Sequence, residues 1–288
     1  MKPQVAEAID RHRAAGREFE AGGVRSFVRE EGEGDPVVLM HGIPVSSFLY
    51  RKVVPLLAEL GLRGVAFDLP GLGLAERPTA FDYGWSGLGR WTGDAIDALG
   101  IDRCHLVLHD IGGPIGLEWA LRDRDRVRSL TVLDTLIAVD GFRRHWAMAM
   151  AVPPVIGRLW VMTTRPPVAR WLFYAVGIAD RSATPAHEVD AHIALLHRDD
   201  GGRAFQRIVR GFEATAEKER FYVGGLSEAG WPSRIVWAES DPALGETQLR
   251  ATEEAVQARA RILPAKHFLQ EDQAPAIAET ITGLAASV

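Results

Sequence analysis

The feature that most constrains the fold is a regular alternation of short apolar runs with segments of helical spacing. The runs have the length of single strands and are rich in Val, Leu and Ile, which is typical of strands buried on both faces. Strands that alternate with helices form a parallel sheet with helices on its faces. The runs that we interpret as its strands are 37–40, 64–67, 105–108, 130–133, 234–237 and 260–263.

Two regions depart from this alternation. Before it, two β-like runs over 17–30 meet at a pair of glycines and predict a hairpin. Between the fourth and fifth strands the chain is rich in Trp, Phe and Met and has helical or irregular spacing. We therefore predict one α/β core made of residues 1–135 and 226–288, with a mostly helical cap inserted at 136–225.

Composition excludes several classes of function. The net charge is −5 and the basic residues are dispersed, which argues against a nucleic-acid partner. The single cysteine, Cys104, and the lack of a Cys/His cluster argue against disulfides and zinc, and no phosphate-binding motif predicts a cofactor. The polar start and the lack of a long apolar run predict a cytoplasmic protein with no membrane partner, whereas the oligomeric state is left open.

Three polar residues follow predicted strands, where active sites of open parallel sheets collect. Asp110 ends one strand and precedes two glycines and a helix, as in a nucleophile elbow, although an N-cap role would also explain it. Asp241 and His267 follow later strands. The chain order of nucleophile, acid and histidine is that of an α/β-hydrolase triad, which favours a catalytic role for all three.

The sequence resembles the haloalkane dehalogenase and epoxide hydrolase branch of the α/β-hydrolases over nearly its full length, and the dehalogenases more than the epoxide hydrolases. The resemblance implies an α/β-hydrolase fold, a mostly parallel sheet flanked by helices, and a helical cap. The motifs that carry it are His41-Gly42-Ile43-Pro44-Val45-Ser46-Ser47 with Leu49-Tyr50-Arg51, Asp68-Leu69-Pro70-Gly71, His109-Asp110-Ile111-Gly112-Gly113, Ser240-Asp241-Pro242-Ala243-Leu244-Gly245, and His267-Phe268-Leu269-Gln270-Glu271-Asp272.

An aspartate at the elbow implies covalent catalysis without a cofactor. Its carboxylate would displace a leaving group from carbon, and His267, oriented by Asp241, would activate water to hydrolyse the ester. The backbone N–H groups of Ile43 and Ile111 would stabilise the oxyanion. Glu239 and Asp134, which also follow strands, are alternative acids.

The chain departs from the dehalogenases where a leaving group is held. In that family a tryptophan follows the nucleophile and an asparagine can follow His-Gly, but Ile111 and Ile43 stand there in this chain. A donor must then come from the cap, either a tryptophan for a halide or a tyrosine or histidine for an epoxide oxygen. The possible donors are Trp146, Trp160, Trp171, Tyr174, Tyr222 and His145.

The sequence therefore predicts a cofactor-independent, dehalogenase-like hydrolase that acts on a small hydrophobic molecule. An epoxide hydrolase is the first alternative. A non-hydrolytic relative that uses the same pocket for binding, elimination or cyclisation is an alternative of another class. The intact set of nucleophile, acid and base favours catalysis over mere binding.

Overall fold

All six predicted strands, together with the predicted hairpin, form one sheet of eight strands. The structure is a computed structural model that describes residues 2–288. The strands are β1 (Gly16–Ala21), β2 (Val24–Glu31), β3 (Pro36–Met40), β4 (Arg63–Phe67), β5 (Cys104–Asp110), β6 (Val127–Thr135), β7 (Ser233–Ala238) and β8 (Ala260–Leu263).

The strand order is β1-β2-β4-β3-β5-β6-β7-β8. Pairing is antiparallel between β1 and β2 and between β2 and β4, and parallel from β4 through β8. Because the parallel strands share a direction, the loops after β3, β5, β6, β7 and β8 meet at one edge of the sheet. That edge carries the polar residues singled out in the sequence.

Helices cover both faces of the sheet, and short 3₁₀ turns lie at Ser47–Tyr50 and Arg124–Arg126. The helices are α1 (Pro3–Ala14), α2 (Val53–Glu59), α3 (Trp85–Ala98), α4 (Gly112–Ala120), α5 (Trp146–Ala149), α6 (Pro154–Thr163), α7 (Val168–Val176), α8 (Ala186–His197), α9 (Arg203–Arg210), α10 (Ala216–Ala229), α11 (Glu246–Val256), α12 (Leu269–Asp272) and α13 (Ala274–Ala285).

Strand β3 shows how the sequence builds a core on each face. Val38 and Met40 belong to the apolar cluster under α3 and α4, whereas Val37 and Leu39 belong to the cluster under α2 and α13. Successive strand residues point to opposite faces, so a strand buried on both sides must be apolar throughout. All four side chains are at most 1% exposed.

The chain between β6 and β7 forms six helices, α5 to α10. The last of them, α10, crosses the predicted end of the cap at 225 and packs on the core: a Cβ at Gly225 would lie 2.5 Å from Leu121. The division of the chain into core and cap stays a prediction. None of the helices within residues 2–288 combines the length and the apolar character that a bilayer-spanning segment needs.

Helix α1 was not predicted from the sequence. Its buried residues Val5, Ala8, Ile9 and His12 follow the i, i+3, i+4, i+7 spacing of one helix face. That face packs with Phe48 and with residues of α8. The spacing was readable in the sequence, but the many charged residues between these positions hid it.

Candidate active site

The turn from β5 into α4 holds Asp110 in a strained conformation. Its φ is 50°, in the left-handed region that costs a non-glycine residue about 1–3 kcal/mol. The turn is tight because a Cβ at Gly113 would lie 1.9 Å from Thr135 Oγ1 and one at Gly112 would lie 2.7 Å from the His41 carbonyl oxygen. Asp110 is 8% exposed and lines a cavity beneath the cap. The local geometry is that of the predicted elbow.

Two backbone N–H groups point at the Asp110 carboxylate. The Ile43 N–H donates to Oδ2 at 2.8 Å, and the Ile111 N–H lies close enough to the carboxylate to lower its pKa. A Cβ at Gly42 would lie 2.2 Å from Oδ2, so this approach requires glycine before Ile43. Burial raises the pKa of Asp110, while the charge of His267 and the two N–H groups oppose that rise.

His267 lies between two carboxylates. Its Nδ1 donates to Asp241 Oδ2 at 2.8 Å, and its Nε2 lies 3.7 Å from Asp110 Oδ1. Burial alone would lower the pKa of the imidazole, but the charge and hydrogen bond of Asp241, and then the charges of Asp110 and Asp134, raise it to about 9. The structure thus brings together the three side chains that the sequence predicted as a triad.

The two alternative acids lie in different places. Glu239 is exposed in the turn after β7. Asp134 is fully buried, and its Oδ1 accepts from the Ala238 N–H at 2.8 Å. Burial and the neighbouring charge of Asp241 raise the pKa of Asp134 well above its usual value. Neither carboxyl group is the hydrogen-bond acceptor of the His267 imidazole.

The group formed by Asp134, Asp241 and His267 has donor atoms within 4.8 Å of one another, a spacing that would suit a metal ion. The hydrogen bond between His267 Nδ1 and Asp241 accounts for the closest approach. The imidazole nitrogen that faces Asp241 already carries a proton, so the group is a poor ligand set for a metal ion. The sequence predicted no metal here.

Two further histidines hold the loops of the site. His41 accepts from the Leu69 N–H at Nε2 (3.1 Å) and donates from Nδ1 to the Gly42 carbonyl (2.8 Å). His109 donates from Nε2 to the backbone carbonyl of His267 at 2.8 Å. His109 therefore supports the loop of the base, a contact that no sequence pattern indicated.

Glu271 anchors the segment that follows His267. Arg51 Nη1 lies 2.6 Å from Glu271 Oε1, and His192 of helix α8 contacts the same oxygen at 2.9 Å. Burial would raise the pKa of Glu271, but Arg51 and His192 hold it well below its usual value. This buried carboxylate therefore ties the loop of the base to a helix of the predicted cap.

A cavity of about 160 Å³ separates the triad from the helices above it. Its walls are mainly apolar, with side chains such as Leu136, Phe173, Phe205 and Leu244. Of the six possible leaving-group donors, Trp160 and His145 line the cavity. Those that do not line it are Trp146, Trp171, Tyr174 and Tyr222.

The other donors are exposed or bonded elsewhere. Trp146 and Trp171 are 53% and 59% exposed. The Tyr174 hydroxyl donates to the Thr184 carbonyl and the Tyr222 hydroxyl to Glu118, at 2.9 and 2.8 Å. The sequence could not distinguish these positions, because aromatic residues of a cap are more often packed than catalytic.

Trp160 and His145 also differ in whether their ring N–H group is free to bind a ligand. The Trp160 indole donates to the Ala147 carbonyl at 3.0 Å. The His145 ring has no hydrogen-bond partner within residues 2–288, and burial followed by the charge of His267 lowers the pKa of His145. A neutral imidazole has one N–H to donate. His145 is therefore the predicted donor whose N–H is available inside the cavity.

Comparison with known proteins identifies the family of the chain. The chain matches the model of the alpha/beta hydrolase fold family over residues 35–274, which covers the sheet from before β3 to the start of α13. The chain belongs to the α/β-hydrolase fold family. The predictions of fold class and family are confirmed.

Individual relatives show which branch of this family the chain is similar to. A haloalkane dehalogenase of Mycobacterium marinum is 30% identical over 275 residues, covering 90% of this chain and 88% of that protein. A haloalkane dehalogenase of Psychrobacter cryohalolentis is 27% identical over 280 residues, covering 90% and 86%. The structure of the epoxide hydrolase CorEH has a TM-score of 0.77 at 19% identity, covering 94% and 98%, a likeness of fold alone. This α/β-hydrolase is thus a hydrolase of the dehalogenase and epoxide hydrolase branch.

Proposed function

We propose that this α/β-hydrolase cleaves a carbon–leaving-group bond through an ester of Asp110, as a dehalogenase-like enzyme. The observation that carries the proposal is that the two oxygens of the Asp110 carboxylate have different surroundings. Oδ2 accepts from the Ile43 N–H, whereas Oδ1 faces Nε2 of His267 at 3.7 Å. One oxygen is held by a backbone donor and the other is left for attack. An elbow serine would lack the second oxygen that this arrangement uses.

In the first step, Oδ1 of Asp110 attacks the substrate carbon and the leaving group departs with the bonding electrons. An ester of Asp110 forms. The positive charge of His267 stabilises the ionised carboxylate, and His145 donates an N–H to the leaving group from the cap side. A hydrogen bond to a developing charge contributes about 1.5–3 kcal/mol, or roughly 10- to 100-fold in rate.

Once the ester has formed, the charge of Asp110 is lost and His267 releases its proton to solvent. In the second step, neutral His267 takes a proton from water, and the hydroxide attacks Cγ of Asp110. The former Oδ2 carries the negative charge and stays on the Ile43 and Ile111 N–H groups, each worth about 3 kcal/mol in such sites. Asp241 stabilises the imidazolium. Collapse of the intermediate breaks the ester C–O bond, the alkoxide receives the proton from His267, and the alcohol leaves.

Epoxide hydrolysis is the second candidate. Two observations together favour it: the His145 N–H is available in the cavity, and Ile111 offers no donor. The Ile111 side chain is 1% exposed in the core and offers no donor to a departing halide. An epoxide oxygen stays attached to the substrate as it becomes an alkoxide, so it needs a proton as well as a hydrogen bond. Neutral His145 would donate the hydrogen bond as the ring opens, water would supply the proton to the alkoxide, and the ester of Asp110 would be hydrolysed as before.

The test is to incubate the protein with haloalkanes, epoxides and simple esters of similar size and to measure halide, diol and acid release. The proposal predicts halide release from bromo- and iodoalkanes, slower release from chloroalkanes, and no requirement for added metal. Diol formation without halide release would favour the second candidate. Ester cleavage that persists in Asp110→Ala, with neither halide nor diol formed by the wild type, would contradict both.

A further inference from the structure

Arg144 is a cation in the wall of the otherwise apolar cavity. Among residues 2–288 it is the one arginine or lysine that lines the cavity. Its Nε is buried without a hydrogen-bond partner, and its Nη2 has a single long contact, 3.4 Å, to the Val209 carbonyl. No carboxylate of the described chain forms an ion pair with Arg144. Many other arginines do form ion pairs, among them Arg17, Arg51 and Arg170.

The position of Arg144 is held by packing. Its guanidinium lies over the ring of Phe212, 4.6 Å from the centroid. Burial lowers the pKa of Arg144, and no charged group of the chain, Asp110 included, adds to or offsets that shift. The guanidinium therefore has no charged partner within the described chain. Burying an unpaired charge costs free energy that an anionic ligand would recover.

An outer cleft of the cap adjoins the cavity at Arg144. Arg143, Arg144 and Arg210 all line this cleft, and its other lining residues are apolar. Arg143 and Arg210 are exposed and make no ion pair within the part of the chain that the structure describes. Clustered cations without acidic neighbours attract anions and raise their local concentration. Because Arg144 lines both spaces, it stands where the cleft meets the cavity.

We propose that Arg144 binds a carboxylate at the end of the substrate remote from the reacting carbon. The inference rests on the proposed function, because Asp110 marks the reacting end. A guanidinium fork matches the two oxygens of a carboxylate. The cavity, about 160 Å³, has the size that holds a benzene-sized body. The substrate is then a short organic acid with an apolar body and a leaving group or epoxide at its far end.

The test compares binding of hexanoate with binding of hexanamide, its neutral isostere, by calorimetric titration. Neither probe has a leaving group, so binding is measured without turnover. The wild type should bind the acid about 10- to 100-fold more tightly than the amide, and less so at high salt. Arg144→Gln should reduce that preference to less than about threefold. Arg144→Lys, which keeps the charge and loses the fork, should give an intermediate preference.

The matched control is Arg203→Gln, which removes one positive charge from an exposed position at the start of α9, outside the cavity lining. This variant should keep the wild-type preference. Equal affinities of the wild type for acid and amide would overturn the proposal, whatever the variants do. A preference that persists in folded Arg144→Gln would overturn it as well. Failure to release halide or diol would instead affect the proposed reaction and leave the binding result intact.

Discussion

The floor and the roof of the cavity are built on different principles. On the floor, Asp110, Asp241 and His267 lie at strand ends and are tied to one another and to backbone N–H groups. On the roof, Arg144 and His145 face the cavity with hydrogen-bonding groups that the protein leaves unused. The polar groups of the floor are hydrogen-bonded to one another and therefore held in place, whereas those of the roof are free to bind a ligand. The difference leads us to propose that the reaction takes place at the strand ends of the sheet and that the helices above them select the substrate.

The largest effect should come from the floor. Asp110→Ala removes the atom that bonds to the substrate, so turnover should fall by about 10⁴-fold or more. The measurement is steady-state turnover on an accepted substrate, with a thermal melt as control, because the variant should remain folded. Retention of more than a few per cent of wild-type activity would show that another residue is the nucleophile.

Asp241→Asn should have the next largest effect. It keeps the shape of the side chain but removes the charge that orients and stabilises His267, a change that costs up to about 10⁴-fold in a related triad. The matched control is Asp134→Asn, since Asp134 does not accept the hydrogen bond from His267 Nδ1 and an amide oxygen can still accept from the Ala238 N–H. We expect that control to remain within a few-fold of wild type. The reverse order of the two effects would identify Asp134 as the acid.

A smaller effect should come from the roof. His145→Phe removes the leaving-group donor and should slow the formation of the ester by about 10- to 100-fold, more for chloroalkanes than for iodoalkanes. Trp160→Phe is the matched control, because its indole N–H is already bonded to the Ala147 carbonyl and its loss should change the rate little. Pre-steady-state halide release measures both. Equal losses in the two variants would mean that cap packing, not donation, is responsible.

The smallest effect concerns pH. The pKa of His267 is raised to about 9, in part by the charge of Asp110, and the ester removes that charge. The base must be neutral, so hydrolysis of the ester should accelerate as pH rises and level off below pH 9. Single-turnover alcohol release at several pH values tests this. A rate that keeps rising beyond pH 9, or one that falls with pH, is inconsistent with a single histidine base.

The same contrast explains how much the sequence could predict. Strands such as 37–40 are apolar throughout because both faces are buried, and the residue after each strand is placed by topology alone. Asp110, Asp241 and His267 could therefore be found from their position after strands. Patterns within short segments of the sequence therefore predict the residues at the floor of the cavity.

The cavity-facing residues of the roof were less predictable, because no topological rule places side chains on its helices as the strand ends place those of the floor. Trp146, Trp160 and Trp171 look alike in sequence, yet only Trp160 lines the cavity. Arg144 gave no signal at all, since an arginine without an acidic partner is recognised only when its neighbours in space are known. Helix α1 was missed for a different reason, because many charged residues separate the four positions of its buried face.

The covalent ester on Asp110 is the central claim, and His267→Gln tests it most directly. This variant keeps the nucleophile and removes the base, so the first step should proceed and the second should stop. After addition of an accepted substrate, intact-mass spectrometry should show one added alkyl group, and digestion should map it to the peptide that contains Asp110. An unmodified mass, or continued turnover at the wild-type rate, would contradict the mechanism.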